Sequence, residues 1–480
     1  MLYSSPEFFL LFLLTWTIYV LSWSERARFS TLLAASLIFY AWAGVFDSLI
    51  FVFVVMISWL SVWIARKRPR LARFAVPGGI TVMALHLFFW KYAAWATTQI
   101  QLCAPSFLGG RHPTIPLPVG ISFFTLQGIA YLIDFGRGEA EFMSFREYLL
   151  FKSFFAQLIA GPIVRARQLL PQLRRLTRPT TQDMSRGLAL FTLGFLKKTL
   201  LADRIAAIID PVFRNPHNYG RAALLAGLLG YTIQIWADFS GYTDMGRACA
   251  RMLGITLPEN FLSPYLAKKP SEFWRRWHIT LSEWIRDYIY IPLGGGRGAT
   301  VKVLGVVTVT MALSGLWHGA NWTFIIWGLY HGCLLIAERE LPDVFGVLPR
   351  RIADTVKRIT LFAAIAVGWL IFRSQDLASI WEFIFGLAHA QGGILTGSHF
   401  IYIGAAICLL LETLLYRNLE TGRQPVVAAL QSAWTSVSND GKAAWVPFVS
   451  LGAGCVLAAT LFTAIALRPE NSRAFIYFQF

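Results

Sequence analysis

The chain is poor in charge. Asp, Glu, Lys and Arg make up 14% of its 480 residues, against about 25% in an average soluble domain. So few charges cannot coat a globule of this size, which excludes a soluble enzyme. The 56% hydrophobic content excludes a disordered chain. Cysteine is scarce as well: Cys103, Cys249, Cys333, Cys408 and Cys455 show no C-x-x-C spacing. That excludes a disulfide or zinc framework and leaves small hydrophobes. There is no H-E-x-x-H, and no metal is expected. A cationic stretch is missing before the first apolar segment, and no small-residue cleavage site follows Trp23. The first segment is therefore expected to stay as a transmembrane helix.

What is present is apolar sequence in runs, with a mean hydropathy of +0.54. Uncharged or nearly uncharged runs cover Phe8–Trp23, Phe29–Phe46, Ser48–Ala65, Phe74–Trp90, Ala222–Ala237, Val303–Ala337, Leu361–Phe372, His399–Leu411 and Ala443–Leu467. Val303–Ala337 is too long for one crossing, so it predicts two passes broken near Gly319-Ala320-Asn321. Less clean candidates are Pro118–Ile133, Leu149–Ile163 and Gly187–Asp210, the last carrying Lys197, Lys198 and Asp203. The expectation is a polytopic all-α protein with ten to a dozen crossings. Basic clusters at Arg66–Arg73 and Arg165–Arg178 mark cytoplasmic loops by the positive-inside rule, which makes Thr98–Pro116 extracytoplasmic. Such patches also bind phosphate; with this hydropathy they read as topology and lipid-headgroup contacts, and no nucleic acid is expected.

Residues 238–298 are dense in charge, aromatics and turn formers. Phe273, Trp277, Leu281, Trp284 and Tyr288 recur at helical spacing, which predicts one helix over Ser271–Ile291, capped by Ser271, that lies in a membrane interface or packs under a bundle instead of spanning. Asp238 and Asp244 fall just past an apolar span, where they could orient a histidine, hold a turn or cap helices. Of eight histidines, His112, His217, His389 and His399 sit in loop-like sequence, and His86 in an apolar helix where packing is the default. His278, His318 and His331 are embedded in aromatic sequence. His318 lies at the predicted break, where non-helical backbone must line a cavity or be buried in protein. It is either a functional group, since neutral imidazole can take a proton from a hydroxyl near pH 7, or a structural histidine bonding a free carbonyl. His331 reads as structural. Cys333 has nothing nearby to lower its pKa. Gly294-Gly295-Gly296-Arg297 could cradle a phosphate, but a flexible turn explains it as well.

Taken together, several motifs resemble the membrane-bound O-acyltransferase family, and most closely its bacterial alginate O-acetyltransferase subgroup. They are Asp238-Phe239-Ser240-Gly241-Tyr242-Thr243-Asp244, Pro258-Glu259-Asn260-Phe261, Glu272-Phe273-Trp274-Arg275-Arg276-Trp277-His278, Arg286-Asp287-Tyr288-Ile289-Tyr290-Ile291-Pro292-Leu293-Gly294-Gly295, Leu316-Trp317-His318-Gly319-Ala320-Asn321-Trp322 and the C-terminal Phe475–Phe480. The resemblance implies one membrane domain over 1–480: a ring of about 11 transmembrane helices, with interfacial and re-entrant helices, around a tunnel that joins cytoplasmic and outer funnels. Within it, 238–298 would be a cytoplasm-facing motif region and 303–337 the helix pair carrying the catalytic histidine.

It further implies that His318 is the catalytic histidine and His278 the second family histidine. Trp317, Asn321, Trp322, Trp274, Arg275, Arg276, Asp244 and Tyr242 are the expected substrate-binding residues. The expected donor is acetyl-CoA or an acyl carrier protein thioester, approaching from the cytoplasm. The expected acceptor is an extracytoplasmic polysaccharide, reached through a periplasmic or membrane-anchored acetyltransferase of the same pathway in the bacterial inner membrane. Peptidoglycan acyl transfer, D-alanyl transfer, and a polysaccharide or lipid transporter are the alternatives; no internal repeat supports the transporter.

Overall fold

The computed structural model describes residues 1–103, 115–159, 161–389, 393 and 395–421, with side chains to 414. His112, Cys455, most of Thr98–Pro116, the run Ala443–Leu467 and the motif Phe475–Phe480 lie outside the described residues. All the regular elements among the described residues are helical, without a strand.

The N-terminal helices are α1 (Pro6–Leu21), α2 (Glu25–Ala41), α3 (Val45–Lys67) and α4 (Pro69–Cys103). Their starts follow from local chemistry. Ser5 accepts from Phe8 N ahead of Pro6, and Ser24 accepts from Ala27 N, each satisfying an orphan donor of the first turn. Next come α5 (Ile121–Gly136), α6 (Phe145–Ser153), α7 (Phe155–Leu158), α8 (Ala166–Leu173) and α9 (Thr181–Leu196). A π-helical turn over Lys197–Ala202 joins α9 to α10 (Asp203–Arg214), and α11 (Arg221–Arg251) follows. The second half contains α12 (Pro270–Trp274), α13 (Ile279–Ile285), α14 (Thr300–His318), α15 (Trp322–Glu340), α16 (Arg350–Arg373), α17 (Leu377–His389) and α18 (Ser398–Thr421).

Five of these, α3, α4, α11, α14 and α16, are long and apolar enough to cross a membrane, and Pro6–Leu21, Ile121–Gly136, Leu377–His389 and Ser398–Leu414 are shorter apolar helices. Sixteen residues, the length of α1 and α5, reach only about 24 Å at 1.5 Å per residue, short of a ~30 Å hydrocarbon core. The described residues therefore establish a multi-pass membrane protein but not the expected count of crossings.

Helix α11 sits deepest. It is buried on all sides from Gly230 to Thr243 and crosses α9 where two glycines meet. A Cβ on Gly194 would lie 2.5 Å from the Gly241 carbonyl, and one on Gly241 would lie 2.7 Å from that of Gly194. Small residues at a crossing let membrane helices approach backbone to backbone. The same device holds α14 to α15: a Cβ on Gly315 would be 2.1 Å from Phe324 O, and one on Gly328 2.1 Å from Met311 O.

Three sequence expectations need correction. Leu149–Ile163 is not a crossing, because the helix stops at Ser153 and restarts for one turn at Phe155–Leu158. Tyr3, from the N-terminal segment, reaches this kink with its hydroxyl on Phe155 O at 2.6 Å. Asp238 and Asp244 do not follow a helix; both are inside α11, which runs fourteen residues beyond the apolar run. They stay there because cations meet them: Lys198 lies 2.7 Å from Asp238 and 2.8 Å from Asp203, and Lys197 lies 2.8 Å from Asp244. These pairs also explain how α9, the π turn and α10 carry Lys197, Lys198 and Asp203 without a break.

Thirdly, Ser271–Ile291 is not one helix. Residues between α12 and α13 leave the helical path at His278, which has a left-handed backbone (φ 43°). The segment 260–262 pulls them out: Leu262 N donates to Arg276 O and Ile279 N to Asn260 O, both at 3.0 Å. The cap is Lys269, not Ser271, whose N–H and hydroxyl both donate to the Glu338 carboxylate at 2.7 Å. The five residues of the apolar stripe are all buried, so this region is core rather than a surface anchor.

Candidate active site at the α14–α15 break

The predicted break is where the sequence placed it. Helix α14 ends at His318 and α15 begins at Trp322. Gly319 is extended, and any side chain there would strike Phe324, whose ring lies 2.1 Å from an ideal Cβ. Asn321 caps α15 by accepting from Thr323 N at 3.1 Å, and its Nδ2 donates to Gln375 O at 2.6 Å.

His318 is 5% exposed, with Trp317 and Trp327 each 4.9 Å away between ring centroids and Phe372 at 5.2 Å. It lines a cavity of about 40 Å³ together with Lys91, Pro118, Ser122, Phe123 and Trp317. At ~10–15 Å³ per water position, that is room for about three waters. A second cavity of about 10 Å³ is lined by Phe123, Gln127, Gln157, Pro162 and Ile163, among others, and Phe123 belongs to both. The described residues thus enclose two small volumes whose linings share Phe123.

The His278 ring lies 6.1 Å from Trp317, 4.7 Å from Phe239 and 6.3 Å from Phe123. Its tautomer follows from hydrogen-bond logic. Asn260 Oδ1 accepts from Thr280 N at 3.1 Å and lies 3.2 Å from His278 Nδ1. A backbone N–H can only donate, so that atom is the amide oxygen, and His278 Nδ1 must carry the proton, leaving the lone pair on Nε2. Burial lowers the His278 pKa to about 3, because a charged imidazole has no water to solvate it. The strained backbone and this bond together fix the ring.

The other expected site residues separate into two groups. Trp317 lines the cavity and touches both imidazoles. Trp274 packs behind, against Trp327 at 5.6 Å and His331 at 5.1 Å. His331, fully buried, meets Trp327 at 4.8 Å. Arg275 is exposed.

The remaining residues are engaged elsewhere. Arg276 pairs with Glu272 at 2.6 Å. Trp322 is exposed and donates to Gln99 at 3.0 Å. Asp244 pairs with Lys197 and Arg247, and Tyr242 stacks on Tyr3 at 4.5 Å. None of Asn321, Trp322, Asp244, Tyr242 or Arg276 lines the cavity at His318. Conversely, Lys91 and Ser122 are wall residues that the sequence reading passed over. Lys91 looked like the charged end of the run Phe74–Trp90; only its place between Trp90 and Tyr92 hinted that it does not snorkel to an aqueous edge.

With the geometry in hand, similarity to known proteins decides the class. The model of the membrane-bound O-acyltransferase family matches residues 80–346. The chain belongs to the membrane-bound O-acyltransferase family. It is 37% identical over 470 residues to a Pseudomonas aeruginosa protein named "Probable alginate O-acetylase AlgI", covering 93% of this chain and 88% of that protein. It is 34% identical over 391 residues to the peptidoglycan O-acetyltransferase of Helicobacter pylori, covering 75% and 74%. A teichoic acid D-alanyltransferase of Streptococcus thermophilus is 26% identical over 332 residues, covering 65% and 76%. This membrane-bound O-acyltransferase is an enzyme that moves an acyl group to oxygen, and its matched span contains His278, His318 and both cavities.

Proposed function

We propose that this O-acyltransferase takes an acetyl group from a cytoplasmic thioester, acetyl-CoA or an acyl carrier protein, and delivers it across the bacterial inner membrane for O-acetylation of an extracytoplasmic, alginate-like polysaccharide. A periplasmic acetyltransferase of the same pathway would receive it. The observation that carries this reading is His318 on the wall of a water-sized cavity at a helix break. Chemistry at a narrow place between two funnels is coherent physically. A thioester donor such as acetyl-CoA is large and anionic, and only its small acyl group needs to pass hydrocarbon depth. The whole chain would act as one membrane domain, with 238–298 and 303–337 supplying the two histidines.

In the proposed mechanism His318 takes the proton of the acceptor hydroxyl as it adds to the thioester carbonyl, a role that typically supplies about 10²–10⁴ in rate. His278 keeps its lone pair on Nε2, in a ring held by Asn260. Trp317, in contact with both imidazoles, helps to exclude water, and Trp274 packs against Trp327. Arg275, with Lys268 and Lys269 nearby, would attract the donor's phosphates.

The Helicobacter pylori relative supports a second reading in which the polymer is peptidoglycan and the chemistry is unchanged; D-alanyl transfer has weaker support from the more distant relative. The test is transfer of labelled acetyl by protein in membranes, compared with His318→Ala. Loss of transfer from a folded variant supports the enzyme reading; unchanged transfer removes His318 from the mechanism. Mass spectrometry of cell-surface polymer from a deletion strain identifies the acceptor.

A further inference from the structure

Lys91, on α4, carries its amine in an unusual place. Its Nζ donates to Ser122 Oγ at 3.2 Å and to the Trp317 carbonyl, and it lies 5.4 Å from the centre of the Trp317 ring. It forms no ion pair among the described residues. The contrast with Lys197 and Lys198, each of which meets a carboxylate within 3 Å, is direct. Lys152 is also buried and donates to a carbonyl, that of Phe124, but it lines neither cavity. Lys91 shares its cavity with His318. A cation held at membrane depth without a counter-charge is costly and marks a place where negative charge arrives.

We propose that Lys91 is a catalytic residue that stabilises the oxyanion of acyl transfer, resting on the assignment of His318 as the base. The acceptor oxygen gives its proton to His318 and adds to the thioester carbonyl carbon. The carbonyl π pair moves onto oxygen, and that oxyanion sits against the Lys91 ammonium, with Ser122 and the Trp317 carbonyl fixing the amine. Collapse re-forms the C=O bond and breaks the C–S bond; the departing thiolate takes the proton back from His318. Two of the three N–H bonds of Lys91 are used by the protein, so one remains for the ligand. A preorganised donor in a dry site acts on developing charge without reorganisation.

The competing role is mechanical. Trp317 O and Leu316 O belong to the last turn of α14, and Lys91 and the Tyr92 hydroxyl cap them. Lys91→Gln separates the two, because it keeps a donor for the carbonyl and loses the charge; Lys91→Arg restores charge. With acetyl-CoA as donor and the periplasmic acetyltransferase of the same pathway as acceptor, Lys91→Gln is expected to lower kcat by about 10²–10³-fold with both KM values within about threefold, and Lys91→Arg to recover part of it. Independently of turnover, methylphosphonate, a tetrahedral anion, should shield His318 from diethyl pyrocarbonate labelling in the native protein. In Lys91→Gln it should need at least about tenfold more anion, as expected where one charge-assisted bond is lost.

A Lys91→Gln enzyme with native kcat, or equal shielding in both proteins, leaves only the cap and overturns the proposal. A raised KM for the acceptor at unchanged kcat also overturns it, in favour of a role in acceptor binding. Activity surviving in His318→Ala would sink the base assignment, while the labelling experiment would still report the anion site at Lys91.

Discussion

Where α9 crosses α11, Lys197 and Lys198 meet Asp244, Asp203 and Asp238 at 2.7–2.8 Å, so that charge inside the apolar bundle is cancelled locally. At the α14–α15 break, Lys91 meets a hydroxyl and a carbonyl instead, beside His318 and a cavity of about 40 Å³. Both regions put ionisable groups among apolar helices and both press helices together through glycine. One has its charges matched by the protein, which is how a helix with lysines stays in place. The other keeps room and a cation for something that comes and goes. The pairing of a buried charge, more than its burial, separates architecture from chemistry here.

The sharpest way to break that comparison is at His318. His318→Ala is expected to cost about 10²–10⁴ in acetyl transfer with an unchanged melting profile in detergent; an equally large loss of folded protein would make this histidine architectural too. Next is Lys198→Met, which strands Asp203 and Asp238 and should destabilise the fold by about 3–5 kcal/mol, seen as loss of monodisperse protein on heating. Adding Asp238→Asn and Asp203→Asn should recover much of it, because the cost comes from unpaired charge.

Asn260→Ala unties His278 and is expected to lower turnover about tenfold, within the ~1–3 kcal/mol of an orphaned buried partner, with stability reduced less than by Lys198→Met. His278 also makes acid sensitivity directional. Its pKa is lowered to about 3 in the folded protein from about 6.5 in an unfolded chain. The unfolded state therefore binds the proton first, and this contribution is complete above pH 6.5 and declines as pH falls toward 3. Thermal melts of His278→Gln should show a shallower loss over that window than the native protein. The smallest effect is expected at exposed Arg275: Arg275→Ala should change donor KM by less than about threefold, with the difference vanishing at high salt. A larger, salt-insensitive change would place Arg275 in the site.

Much of this was legible in sequence because the relevant physics is local. Val303–Ala337 was too long and too uncharged to cross once, and the predicted break near Gly319-Ala320-Asn321 is where the two helices part. His318 stood out because it sits at that point. The stripe Phe273, Trp277, Leu281, Trp284 and Tyr288 was read as one non-spanning helix, whereas its residues are buried on a segment broken at His278, since periodicity is blind to a distant strip of backbone. Asn260 and Leu262 compete for the hydrogen bonds of residues 276–280 and turn His278 into a left-handed position. Asn321 and Trp322 carry the right motif yet bond Gln375 and Gln99. A motif records that a residue matters at a place, and does not distinguish a residue that builds the wall from one that faces the cavity.

The amino-acid order alone determined that this protein lives in a bilayer, that it is helical, that it has a break at Gly319, and which imidazole stands there. Each of these depends on hydropathy, length or a glycine, quantities that belong to a segment by itself. Tertiary structure decided which charges cancel. Lys91 and Lys198 read alike in a list of residues, and only the positions of α5, α10, α11 and α14 around them give one two carboxylates and the other a hydroxyl, a carbonyl and a space. Electrostatic pairing acts across a few ångströms between residues far apart in the chain, so the fold alone can assign it.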